Sequence, residues 1–343
     1  IKSMTVFFEN DPSNSSFWRS IILYGKNVAS YKFALAKSLI ELKSKNKEFI
    51  SLEELSEPFS ANICEHLKNN EKQITSSSST FLDNCKKFNL KEITKDELIN
   101  VTKKIGFNNV IDAFHEVNGK TIPNRFFIDE RKTNKGIQLT ENFFKLYELE
   151  ESENFYDEVE SRWNLVETAW KLKLSPNLLD IDYDESSGLL ITNKKDKRIG
   201  VTSAKNALNG YQKSKCFFCF DYISIISGSK KLSHVDHFFP HTLKYKNFIG
   251  YVDGIWNLVL ACQKCNNGQN GKFAQLPSKE LLKRLHKRNE YYCGSHHPLR
   301  ERIIGQTGKT EVERKDFLQK CFNDAKEKLI HVWEPEAVGD PIF

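Results

Sequence analysis

Apolar residues recur at helical spacing through most of the first 175 positions. In ASYKFALAKSLIELKSK (29–45), Phe33, Leu35, Leu39, Ile40 and Leu42 fall close to one stripe, which predicts an amphipathic helix. SLEELSEPF (51–59) and KDELIN (95–100) read as further helix starts, and the serine run at 76–80 as a surface loop. FYDEVESRWNLVETAWKL (155–172) keeps the helical spacing with Phe155, Val159, Trp163, Val166 and Trp170. Two tryptophans on one face could line a ligand cage, but aromatics at this interval far more often pack a core, and core is the expectation. The period then shortens. LLDIDYDESSGLLITN (178–193) alternates at Leu179, Ile181 and Tyr183 before the turn DESSG, a hairpin pattern. VTSAKNALNGYQKSK (201–215) predicts a short helix capped by Thr202 or Ser203 and ended near Gly210. SKELLKRLHKRNEYY (278–292) predicts a basic amphipathic helix, and VERKDFLQKCFNDAKEKLIHVW (312–333) a last one. There is no internal repeat. The expected class is α+β, mostly helical. We divide it into a helical N-terminal domain over 4–175, a hairpin or connector over 176–200, a module over 201–275 and a helical, basic C-terminal extension over 276–343.

Composition narrows the class without changing it. With 39% hydrophobic and 28% charged residues, the chain is that of a folded protein rather than a disordered one. No stretch approaches the roughly 20 apolar residues of a membrane helix. No secretion signal opens it, so a cytoplasmic protein is expected. Met4, the one methionine, reads as the natural start and Ile1–Ser3 as a remnant ahead of it. Charge is divided unevenly. Residues 1–193 hold 25 Lys/Arg against 30 Asp/Glu, whereas 194–320 hold 24 against 10. A basic block in an otherwise acidic chain suits a polyanionic partner, although a solvated basic face would give the same count.

The basic block also carries the cysteine pattern. Of eight cysteines, Cys216 and Cys219 form one CxxC, and Cys262 and Cys265 another, with 42 residues between the pairs. Two such knuckles make a tetrahedral thiolate site suited to Zn²⁺, closed to further ligands and therefore structural. Cys64, Cys85, Cys293 and Cys321 lack such spacing and read as ordinary buried thiols.

Two polar clusters flank that pattern. HVDHFFPH (234–241) lies in the loop between the pairs, and WNLVLACQKCNNGQNGK (256–272) contains the second pair, so the zinc would bring both to one place. CFFC, VDHFFP and WNLVLACQKCNNGQNGK, in this order, resemble the zinc-containing HNH endonucleases of the ββα-metal superfamily over about residues 210–275. The resemblance implies a β-hairpin and a helix holding one divalent metal, Mg²⁺ or Mn²⁺, over a scissile phosphate. By position it makes Asp236 a metal ligand and His237 the general base that activates water. Asn257 becomes a brace for the loop carrying His237, and Asn266 the second metal ligand, with Asn267 and Asn270 as neighbouring alternatives. His241 stands where relatives often have a small polar residue, which leaves its role open.

The residue types fit that chemistry independently. Histidine is a neutral base near pH 7, and carboxylate and amide oxygens suit a hard cation. Adjacent residues of a regular strand face opposite sides, so Asp236 and His237 can share a site only if His237 lies at a strand end or bulge. The other polar residues have plainer readings: His234 second to Asp236 or simply on the surface, Lys272 solvated, and His296 and His297 in a loop. Lys283, Arg284, Lys287 and Arg288 read equally as phosphate contacts or a solvated face.

The implied function is DNA phosphodiester hydrolysis by an HNH endonuclease, with bacterial restriction or anti-phage defence as a setting. The alternatives are a zinc-stabilised nucleic-acid-binding module without catalysis and an HNH nuclease directed at RNA. The acidic region over 4–175 is expected to serve regulation, recognition or assembly, through a protein partner or a second copy of the chain.

Overall fold

The computed structural model describes residues 11–25, 29–76, 78–117, 119–171, 182–194, 197–294 and 299–343. It is mixed α+β and mostly helical. The chain divides into two compact units, one of residues 13–152 and 166–173, the other of 1–12, 153–165 and 174–343. Among the described residues no helix is long and apolar enough to cross a membrane.

The first unit is built from helices α1 (Asn14–Tyr24), α2 (Tyr31–Leu42), α3 (Leu52–Asn69), α4 (Thr80–Asn89) and α5 (Lys95–Val101), with a small antiparallel sheet. The starts of α3 and α5 are reciprocal caps, Ser51 with Glu54 and Thr94 with Glu97, in which each side chain satisfies the other residue's free backbone N–H. Helix α2 differs from a one-sided stripe. Every residue from Lys32 to Leu39 is buried, the polar ones included, while Ile40 of the expected stripe is only half-buried. The buried Lys32 ammonium donates to Gly25 O at 2.7 Å and Ile21 O at 3.3 Å, placing a cation on the carbonyl end of α1. Phe59, Phe81 and Phe107 pack together in the core.

Helix α6 (Phe155–Lys171) carries the tryptophan stripe, and Phe155, Val159, Trp163, Val166 and Trp170 are all buried, as core residues. Its Glu167 is a buried carboxylate of the first unit. It receives His66 Nδ1 at 2.8 Å, Asn70 Nδ2 at 3.3 Å and Gln73 Nε2, which together replace lost hydration.

A second buried histidine makes the first unit acid-sensitive. His115 Nε2 accepts the Phe126 amide at 3.0 Å, so the ring must be neutral at that nitrogen. Burial, with Arg125 nearby, pushes its pKa down from 6.5 to about 3. The unfolded chain takes up this proton near pH 6.5 and the folded one does not, so stability falls as pH drops below 6.5. The slope approaches about 1.4 kcal/mol per pH unit before levelling near the folded pKa. Urea midpoints at pH 7.5 and 5 should therefore diverge more in wild type than in His115→Gln, and equal divergence would place the acid sensitivity elsewhere.

The second unit opens with the antiparallel sheet β1 (Asp182–Asp184), β2 (Leu189–Lys194) and β3 (Lys197–Ser203). The expected hairpin is its first two strands. Its turn is held by the Asp184 carboxylate, which accepts from the Ser186 and Ser187 hydroxyls, with Gly188 at φ +67°. Leu179 and Ile181 lie outside the described residues. Helix α7 (Ala204–Gln212) follows and continues through Gly210, which is buried inside it. The chain is turned instead by Lys213 and Ser214, both left-handed at φ +51° and +59°. The antiparallel pair β4 (His234–His237) and β5 (Leu258–Ala261) leads into the short helix α8 (Gln263–Asn267). Helices α9 (Lys279–Gly294), α10 (Arg300–Thr307) and α11 (Glu311–Lys328) complete the unit.

Candidate functional site

Cysteine supplies the frame. Cys216, Cys219, Cys262 and Cys265 are buried, with their sulfurs all within 4.8 Å of one another. Four sulfurs at about 2.3 Å from a tetrahedral zinc stand about 3.7–3.8 Å apart. The Cys219 and Cys262 sulfurs are 3.7 Å apart. Backbone amides point at the sulfurs, Cys262 N to Cys216 Sγ at 3.3 Å and Cys265 N to Cys262 Sγ at 3.4 Å. Hydrogen bonds from Cys216 and the other two thiols hold the Cys262 thiol well below its ordinary range, toward thiolate. The cluster could hold a structural zinc.

Long polar side chains fix this frame to the strands. Gln212, the last residue of α7, pairs its amide with both backbone groups of Leu260 at 2.8 Å. Arg284 of α9 donates to Phe218 O at 2.9 Å and to Phe217 O, and its guanidinium lies 4.1 Å from the Phe220 ring centre. Arg288 is fully enclosed and donates to Leu258 O at 2.7 Å and Trp256 O at 2.9 Å. These two arginines are spent on carbonyls of the cysteine knuckle and of β5 and its approach, which removes them from the phosphate-contact reading. Lys283 stays exposed.

Strand β4 presents the Asp-His pair. His234 and Asp236 alternate along it, and His237 is its last residue, opposite Leu258. Beyond it Asn257, completely buried, accepts the Phe239 amide at 2.8 Å and donates to Phe239 O at 3.0 Å and Val252 O at 2.8 Å. One amide thus locks the turn that ends at Pro240. His234 is half-buried, and burial lowers its pKa.

Asp236 and Lys272 form a buried pair, Oδ1 to Nζ at 3.2 Å. Lys272, expected to be solvated, is 1% exposed and also donates to His237 O at 3.0 Å and Phe273 O at 3.1 Å. Burial outweighs the pairing for both partners, raising Asp236 to about 6 and lowering Lys272. Asp236 Oδ2 is buried with no hydrogen-bond partner. Removing the lysine would leave a carboxylate enclosed without its cation. Lys272→Met should cost about 3–5 kcal/mol in denaturant unfolding at pH 7 without added divalent ions, and Lys272→Met with Asp236→Asn much less. Equal losses in the single and double variants would show that the pair is not what the lysine contributes.

His237 meets a different group. Its Nε2 lies 3.3 Å from Asp253 Oδ1, and His241 Nε2 lies 3.5 Å from the same oxygen and 3.4 Å from Glu185 Oε2. Lys244 holds the other Asp253 oxygen at 2.9 Å. Tyr183 lies beside His237, ring centres 6.2 Å apart. Burial pushes the His237 pKa down to about 4, against the pull of Asp253 and Glu185, so the ring is neutral near pH 7. Asn266, half-buried, lies on α8 directly after Cys265, while Asn267 and Asn270 are exposed. His296 and His297 lie outside the described residues.

The structure therefore gathers Asp236, His237, Asn257 and the four cysteines into one strand–strand–helix module, and adds Asp253 and Glu185. Neither of those sits in a recognisable motif. The signal for Asp253 was its place in the loop just before Trp256-Asn257, and for Glu185 its place in the DESSG turn. Compared with known proteins, the chain matches no family description, no curated protein and no solved structure.

Proposed function

We propose that residues 201–275 form a metal-dependent HNH endonuclease that hydrolyses phosphodiester bonds in DNA. The observation that carries this reading is His237. It is a neutral, buried imidazole at the end of β4, its Nε2 has no hydrogen-bond partner, and the turn beyond it is locked by Asn257. A base for water needs a ring nitrogen not committed to another hydrogen bond and a held backbone, and this residue has both. In this reading His237 Nε2 takes the proton from water while Asn257 keeps the turn from shifting. Asp236, through its unpartnered Oδ2, and Asn266 would hold Mg²⁺ or Mn²⁺. The ion would supply positive charge to the phosphate oxygens. Exposed lysines such as Lys230 and Lys246 would attract the polyanion.

Restriction or anti-phage defence remains the proposed setting, with the first unit as the recognition, regulatory or assembly part. The test is cleavage of supercoiled plasmid, with single-stranded RNA beside it, in Mg²⁺ or Mn²⁺ and in EDTA. Metal-dependent nicking or linearisation supports the reading, and cutting of RNA alone moves the substrate. Binding of DNA with no cleavage in either ion would sink the enzyme and leave the zinc-stabilised binding module.

A further inference from the structure

Three donors meet beside His237 that neither the thiolate cluster nor the Asp236–Asn266 reading uses. We propose that Glu185, His241 and Asp253 form a second metal centre that takes a first-row transition ion of the Zn²⁺ class. Their ligand atoms all lie within 4.8 Å of one another. They come from three separate segments, the β1–β2 turn, the residue after Pro240, and the loop before Trp256.

Spacing is the first argument. Nitrogen and oxygen donors at about 2.0–2.1 Å from a tetrahedral ion stand about 3.3–3.4 Å apart. The separations are 3.4 Å for His241–Glu185 and 3.5 Å for His241–Asp253. The second argument is the absence of hydrogen bonds where burial demands them. His237 Nε2 and Asp253 Oδ1 are both buried and face each other, yet neither has a hydrogen-bond partner. The His237 side chain is only 9% exposed, so bulk solvent does not satisfy the two atoms in this arrangement. A cation bound by Asp253 Oδ1 would satisfy that oxygen.

The donor types select the ion. Imidazole with two carboxylates suits Zn²⁺ and its neighbours better than Mg²⁺, which prefers oxygen alone, and no thiolate contributes. Three protein donors leave a position open, in contrast to the closed cysteine cluster. The ion would tie the exposed Glu185 turn to the strand end that carries His237. The inference does not rest on the nuclease reading.

Cobalt titration of the metal-depleted full chain tests it, because Co²⁺ reports its ligands. Wild type should bind two equivalents. One should show the intense near-ultraviolet band of thiolate coordination, the other only weak visible bands of nitrogen and oxygen ligands. His241→Ala and Asp253→Asn should each weaken the second equivalent about 100-fold or more and leave the thiolate band intact, which also shows that the module is folded. Asp236→Asn should leave the equivalent that depends on His241 and Asp253 in place, which separates it from the Asp236–Asn266 site. A single equivalent in wild type overturns the proposal, and so does a second equivalent that survives His241→Ala combined with Asp253→Asn.

Discussion

Replacing Cys265 with serine is expected to abolish zinc binding at the cysteine cluster and to unfold the segments that the cluster ties together. The site joins residues 216–219 to 262–265 across a 42-residue loop that contains β4 with the Asp-His pair and all of β5. Closing such a loop is costly in chain entropy, and the two-stranded pair it contains is too small to offset that cost alone. Structural zinc contributes on the order of 10 kcal/mol, comparable with the whole stability of an ordinary domain. Four buried sulfurs this close cannot all carry charge without a cation among them, so metal loss also leaves the cluster electrostatically unresolved. The measurement is zinc released per chain, alongside hydrogen exchange. Zinc held by the cluster should be lost, so that total zinc falls by one equivalent, and the amides of 216–220 and 258–266 should lose protection. Those of α2 and α3, which have their own aromatic core, should keep it. Retained protection over 258–266 in zinc-free protein would show that packing alone holds the module.

Local spacing made some of this legible and burial hid the rest. The two CxxC spacings follow from residues close together in sequence, where short-range geometry leaves few arrangements, whereas the role of Asn257 comes from the family resemblance and its partner Phe239 lies 18 residues away. Charge was harder to read. Lys272, Arg284 and Arg288 count toward the basic block of 194–320, yet the fold spends each on buried carbonyls, a carboxylate or both. A count of basic residues cannot separate a phosphate contact from a long side chain that satisfies interior backbone oxygens. Helix α7 ends near Gly210, at Gln212, but the glycine is not what ends it. Glycine ends helices when its backbone turns left-handed, but here Lys213 and Ser214 make that turn and Gly210 lies buried within the helix. Glu185 and Asp253 reach His237 and His241 only because separate segments converge, and pairings of that range leave no periodicity to find.

His237→Ala is expected to lower cleavage by about 10²–10⁴, the range for loss of a positioned general base, while DNA affinity changes less than about threefold. The separation of rate from binding follows from burial. Only 7% of His237 is exposed, so it adds little to the surface that meets a polyanion, and long-range attraction comes from lysines elsewhere. The substitution also leaves the frame in place. The Asn257 bonds run to the backbone of Phe239 and Val252, and Lys272 donates to the carbonyl rather than the ring of His237. Zinc content and unfolding midpoint therefore serve as controls that a merely structural histidine would fail. The assay is single-turnover cleavage at saturating Mg²⁺ with binding measured in Ca²⁺. A rate within threefold of wild type would mean that water is activated by another group, and the neighbouring His241, with its ring centre 5.3 Å from that of His237, would then be the residue to replace.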